Sequence, residues 1–86
     1  MKQIELDEII AFLQKEIAKE TNIDVKEINP DEHMGAFGLD SINSVYVLDK
    51  LEKFLKIDLN PLLFWDYPTV KSLSQHLYEK ITHGHS

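Results

Sequence analysis

The chain has 86 residues, nine lysines, fifteen acidic residues and no cysteine, for a formal charge of −6 at pH 7. That length supports one domain with a thin core, and the lack of cysteine excludes a disulfide framework, a Cys-based metal site and a thiol nucleophile. Net acidity argues against nucleic acid, which is bound through Lys and Arg; no apolar run approaches the roughly 20 residues of a membrane span, and Met1-Lys2-Gln3-Ile4-Glu5 lacks the features of a secretory signal, so a cytoplasmic chain without membrane contact is expected.

Leu6, Ile9, Ile10, Leu13 and Ile17 fall on one stripe at helical spacing, which predicts a first helix over residues 3–20. Residues 21–39 show no sustained period and contain Pro30, Gly35 and Gly38, so they read as a long loop. A loop of that length in a small domain needs its own anchors, and Ile23, Val25, Ile28, Met34 and Phe37 are the apolar residues available. The excess charge also lies here: residues 1–40 hold ten acids against four lysines, whereas residues 41–86 are balanced.

A second helix over residues 41–55 places Ser44, Val47, Leu48, Leu51 and Leu55 on one side. Ile42, Tyr46, Asp49 and Lys53 project to the other, and two large apolar residues there suggest a docking face, against ordinary partial burial of Ile42 on the loop. Asn60-Pro61 opens a short third helix, residues 61–65, since proline suits a first turn and Asn60 can cap it. Phe64 and Trp65 suggest either a hydrophobic binding site or core, and beside so short a helix they read as core. Tyr67-Pro68 ends it, and Thr69 caps a fourth helix, residues 69–81, with Val70, Leu73, Leu77 and Ile81 inward. Residues 82–86 read as a disordered tail. The whole predicts an all-α four-helix bundle of one domain, residues 1–86, with three longer helices, a short third and a long loop between the first two.

Chemistry points to one place. In Phe37-Gly38-Leu39-Asp40-Ser41-Ile42, a glycine turn leads to Asp40, a good N-cap, and sets Ser41 at the first position of the second helix. A phosphate ester on the Ser41 hydroxyl would meet free backbone N–H donors and the positive end of the helix dipole. No serine, histidine and acid group together for nucleophilic catalysis, and His33, His76, His83 and His85 have no metal-ligand spacing, so neither catalysis nor a metal site is expected.

Gly38-Leu39-Asp40-Ser41-Ile42 resembles the phosphopantetheine-attachment motif of acyl carrier proteins. Leu51-Glu52-Lys53-Phe54 and Phe64-Trp65-Asp66-Tyr67-Pro68-Thr69-Val70 resemble its polyketide-synthase branch, at the family's distance and in a chain of the family's length. The resemblance implies that Ser41 carries 4′-phosphopantetheine, transferred from coenzyme A by a phosphopantetheinyl transferase, and that acyl groups ride on the arm's thiol as thioesters. It implies that Asp40 assists the transferase, that Gly38 and Leu39 shape the turn, and that the protein is a non-catalytic carrier serving a ketosynthase, an acyltransferase or acyl-activating ligase and other biosynthetic enzymes as a monomer. Polyketide or hybrid polyketide/nonribosomal peptide biosynthesis is the expected pathway.

Departures from the pattern refine that expectation. Residues 41–56 hold two acids against three lysines, unlike the acidic second helix of fatty-acid carriers, and Leu39 stands where peptidyl carriers usually have a second glycine. Val47 stands where some carriers that recruit β-branching enzymes have tryptophan, and Lys56 where the family often ends the helix with glycine. A peptidyl or fatty-acid carrier is the alternative, and an unmodified helical docking domain is the alternative of another class. Met1 leads almost directly into the first helix without a Pro/Ser/Gly-rich linker, which suggests a free-standing chain.

Overall fold

Among the described residues four α-helices form: α1 (Leu6–Thr21), α2 (Ser41–Leu55), α3 (Leu63–Asp66) and α4 (Val70–Thr82). The computed structural model describes residues 4–83. Among these no strand forms, and one isolated antiparallel bridge joins His33 to Thr69. The three long helices meet through the stripes read from the sequence. Ile9, Leu13 and Ile17 of α1, Val47 and Leu51 of α2, and Val70, Leu73 and Leu77 of α4 are all inaccessible to solvent, with α1 packed against both α2 and α4. Each buried Leu, Ile or Val contributes roughly 1.5–3 kcal/mol by leaving water, so these eight side chains supply a large share of the favourable side of folding.

Local chemistry fixes the helix ends. α1 starts at Leu6 rather than residue 3, because Glu5 is extended and its N–H donates to the Glu8 carboxylate at 2.7 Å, a cap that leaves Glu5 outside the helix. Residue 3 itself lies outside the described residues. Asn22 ends α1 in the left-handed conformation (φ 60), which asparagine tolerates. Lys56 ends α2 the same way (φ 59), with its N–H donating to the Glu52 carbonyl at 2.7 Å; a lysine here holds a conformation that glycine adopts more easily. Thr69 caps α4 by accepting the Ser72 N–H at 3.0 Å, so α4 begins at Val70 and runs one residue further than expected. Thr82 therefore belongs to α4 instead of the tail, and residues 84–86 of that expected tail lie outside the described residues.

The long connection from α1 to α2 lies against the bundle, with 3₁₀ turns at Val25–Glu27 and Met34–Phe37. Ile28, Met34 and Phe37 are buried and Ile23 is packed against the core. Val25 is the exception among the expected anchors. It opens a 3₁₀ turn that Asp24 caps through the Lys26 N–H (2.9 Å), and that turn leaves it 44% exposed. Backbone bonds stitch the loop to the α3–α4 junction: the Met34 N–H donates to the Pro68 carbonyl at 2.7 Å and the Lys71 N–H to the Pro30 carbonyl at 2.9 Å. The Gln14 amide donates to the Ile28 carbonyl at 2.8 Å, tying the same loop to α1.

Asn60 organises the third helix differently from expectation. Its side chain accepts the Leu62 N–H at 2.9 Å and its carbonyl accepts the Leu63 N–H at 3.0 Å, so Asn60-Pro61 forms a turn and α3 begins at Leu63, ending at Asp66. One helical turn offers one inward direction. Leu63, Phe64 and Tyr67 occupy it, packing on the core. Trp65 is left pointing outward and is 79% exposed, which corrects its reading as core; Phe64 is only half-buried.

Candidate functional site

Gly38 closes the second 3₁₀ turn, donating its N–H to the Gly35 carbonyl at 3.1 Å with φ +83. Glycine is required there for conformation rather than space, since an added Cβ would meet no atom within 4 Å. Leu39 packs half-buried on the core and anchors the exit of the turn. The chain then reaches Asp40, extended (φ −93, ψ −176), whose Oδ1 accepts the Asn43 N–H at 2.8 Å. The Asn43 side chain donates to the Glu20 carbonyl at 3.3 Å, pinning the start of α2 to the end of α1. Ser41 is consequently held on a rigid element, first in the helix and exposed to solvent.

Ser41 lies at the N-terminus of α2 and on an apolar groove. Asp40 takes the Asn43 N–H, and the N–H groups of Ser41 and Ile42 have no partner within the 15-residue helix. The groove measures about 450 Å³ and its rim includes Asp40 and Ser41. Leu39 before α2, Val45 within it, and Phe64, Trp65 and Pro68 in and after α3 line it. Ser44 also lines it instead of joining the core, half-buried and donating its hydroxyl to the Ser41 carbonyl at 3.1 Å. His33 reaches the same groove, although it is distant from Ser41 in sequence. Its Nδ1 accepts the Gly35 N–H at 3.1 Å and so caps the 3₁₀ turn that leads to Gly38.

The expected docking side of α2 is open. Ile42 is 66% and Tyr46 57% exposed, while Asp49 and Lys53 below them are exposed and pair at 3.2 Å. Val45, 52% exposed, was absent from the sequence expectations. It stands one turn from Ser41, and that i+4 relation was the available signal. Trp65, read as core, lines the groove instead, because its position on a one-turn helix could not be phased from periodicity. Among the described residues no group of histidines and acids could hold a metal ion, and no helix is long and apolar enough to cross a membrane.

An exposed hydroxyl at the start of a capped helix, with donors for a phosphate diester and an apolar groove beside it, fits a phosphopantetheine arm at Ser41. The comparisons agree with that chemistry. Residues 11–77 match the family described as the phosphopantetheine attachment site. The chain is 31% identical over 75 residues to polyketide synthase PksN of Bacillus subtilis, covering 87% of this chain and 1% of that protein. It is also 31% identical over 73 residues to 5-methyl-1-naphthoate synthase of Streptomyces sahachiroi, covering 85% and 4%. It thus spans only a few hundredths of the length of these curated relatives. Among solved structures, a free-standing peptidyl carrier protein from an uncharacterized Acinetobacter baumannii secondary metabolic pathway superposes with TM-score 0.81 at 36% identity, covering 85% of this chain and 91% of that one. Acyl carrier protein LipD of Actinoplanes friuliensis gives 0.74 at 28% identity, covering 98% of both chains. With residues 11–77 in the family match and the helical bundle shared with solved carriers, the chain belongs to the phosphopantetheine attachment-site family of carrier proteins, whose members bear covalently attached 4′-phosphopantetheine.

Proposed function

We propose that this chain is a single acyl carrier domain, that Ser41 is its attachment point, and that it shuttles acyl intermediates between enzymes of polyketide or hybrid polyketide/peptide biosynthesis. The observation that carries the reading is the exposed Ser41 at the capped start of α2, on the rim of an apolar groove. A separate phosphopantetheinyl transferase would use the hydroxyl as acceptor and coenzyme A as donor, which goes with a cytoplasmic location. The arm supplies a thiol that holds acyl groups as thioesters. The protein's own residues then have distinct tasks: Asp40 caps α2 and presents a carboxylate to the transferase, Gly38 and Leu39 set the turn, and Ile42, Tyr46, Asp49 and Lys53 meet partner enzymes such as a ketosynthase or an acyl-loading enzyme. Tethering raises the effective concentration of cargo at each active site within the arm's reach, an advantage that free substrate lacks.

A second reading, an aminoacyl or peptidyl carrier, draws support from the 36% identity to the Acinetobacter baumannii protein. Leu39 in place of a second glycine favours the acyl reading. Incubation with coenzyme A and a broad-specificity transferase, followed by intact mass, tests the common core of both. One phosphopantetheine should add to the wild type and none to Ser41→Ala. An unchanged wild-type mass would instead support an unmodified docking domain.

A further inference from the structure

The exposed indole of Trp65 has no task in the fold. Exposure at 79% means that almost none of its surface contributes to the core, whereas the neighbouring Phe64 and Tyr67 pack inward. A tryptophan left in water forgoes the largest apolar burial that any side chain offers. It lines a groove that Ser41 also lines. Val45, again apolar and 52% exposed, lines the same groove. Both side chains are open to solvent in the groove that Ser41 lines, and whatever is tethered to Ser41 is confined near that groove at an effective concentration in the millimolar range.

Resting on the carrier reading, we propose that Trp65 and Val45 form a cargo-binding subsite that selects planar acyl groups, aromatic or conjugated, over saturated chains of similar size. The groove is a surface feature, and the interior is occupied by fully buried side chains such as Leu13, Leu51 and Leu73, so cargo docks along the wall instead of entering the bundle. A flat π-system meets the indole face by offset stacking and Val45 by apolar contact, whereas a saturated chain gains only the second. Aromatic pairing beyond simple burial corresponds to about a two- to tenfold preference in docked population.

Trp65 is the chain's only tryptophan, so its fluorescence reads the subsite directly. The wild type would be loaded by a broad-specificity transferase with benzoyl- or cinnamoyl-coenzyme A, with hexanoyl-coenzyme A, or with coenzyme A itself, and intact mass would verify each product. Failure to load defeats the Ser41 reading, whereas the subsite is judged only on loaded protein. Acrylamide quenching of Trp65 should fall with the aryl cargo and change little with hexanoyl or the bare arm. Amide shifts of Val45 and Phe64 should move on aryl loading in wild type and Trp65→Phe and stay still in Trp65→Ala, a change at an exposed position that leaves the core intact. Equal quenching in every loaded form, or aryl-induced shifts that persist in Trp65→Ala, would overturn the proposal.

Discussion

Asp40 serves two demands that substitution can separate. Its Oδ1 accepts the Asn43 N–H at 2.8 Å, and neither the charge nor the second oxygen is needed for that bond. Removing a cap of this kind costs about 1 kcal/mol, while asparagine caps nearly as well as aspartate. Asp40→Ala should therefore lower folding stability by about that amount, and Asp40→Asn should stay within about 0.5 kcal/mol of wild type. If the carboxylate also assists the transferase, Asp40→Asn should slow modification far more than its urea melt would suggest. A modification rate at the wild-type level in Asp40→Asn would reduce Asp40 to a cap. At this scale the sequence was informative wherever a backbone need selects a residue type: Gly38 at φ +83, Asp40 at the cap, Thr69 at the start of α4. It was silent where the need is directional. Nothing in Phe64-Trp65 distinguishes the half-buried ring from the exposed one, because four residues of helix provide no period.

Periodicity works on long elements for the converse reason. In α2, Val47, Leu48, Leu51 and Leu55 are buried and Ile42 and Tyr46 are exposed, as the helical spacing requires. Ser44 and Val45 lie at the edge of the stripe, where a neighbouring loop rather than the helix decides exposure, and the structure places both on the groove. The same logic accounts for Val25, set outward by a 3₁₀ turn that has no sequence period of its own. The face assignment of α2 predicts a stability order. Leu48→Ala removes a leucine that is 4% exposed and should cost about 2–5 kcal/mol. Tyr46→Ala should cost less than about 1 kcal/mol, as at other exposed positions. Urea melts of the two variants check this, and the reverse order would put the faces of α2 the wrong way round.

At the scale of the molecule, charge and apolar surface are separated. The acidic excess precedes Ser41, whereas α2 and its surroundings offer Ile42, Val45, Tyr46 and Trp65 to solvent with little net charge. Recognition of the modified carrier should then rest on apolar contact, and it should survive a rise from 0.1 M to 1 M salt, which shortens the screening length from about 10 Å to about 3 Å. Ile42→Ala or Tyr46→Ala should weaken acyl transfer from a cognate enzyme more than Asp49→Ala does. Glu52 is unsuited to the comparison because it accepts the Leu59 N–H at 2.7 Å and holds the end of α2. A steep loss with salt, or the larger defect in Asp49→Ala, would assign docking to charge. All of this presupposes the arm at Ser41, and the absence of cysteine makes that claim directly countable. Titration with a thiol reagent before and after reaction with coenzyme A and a transferase, once excess coenzyme A is removed, should find no thiol and then one per chain in the wild type, and none at either stage in Ser41→Ala; a thiol gained equally by Ser41→Ala, or none gained by the wild type, would contradict it.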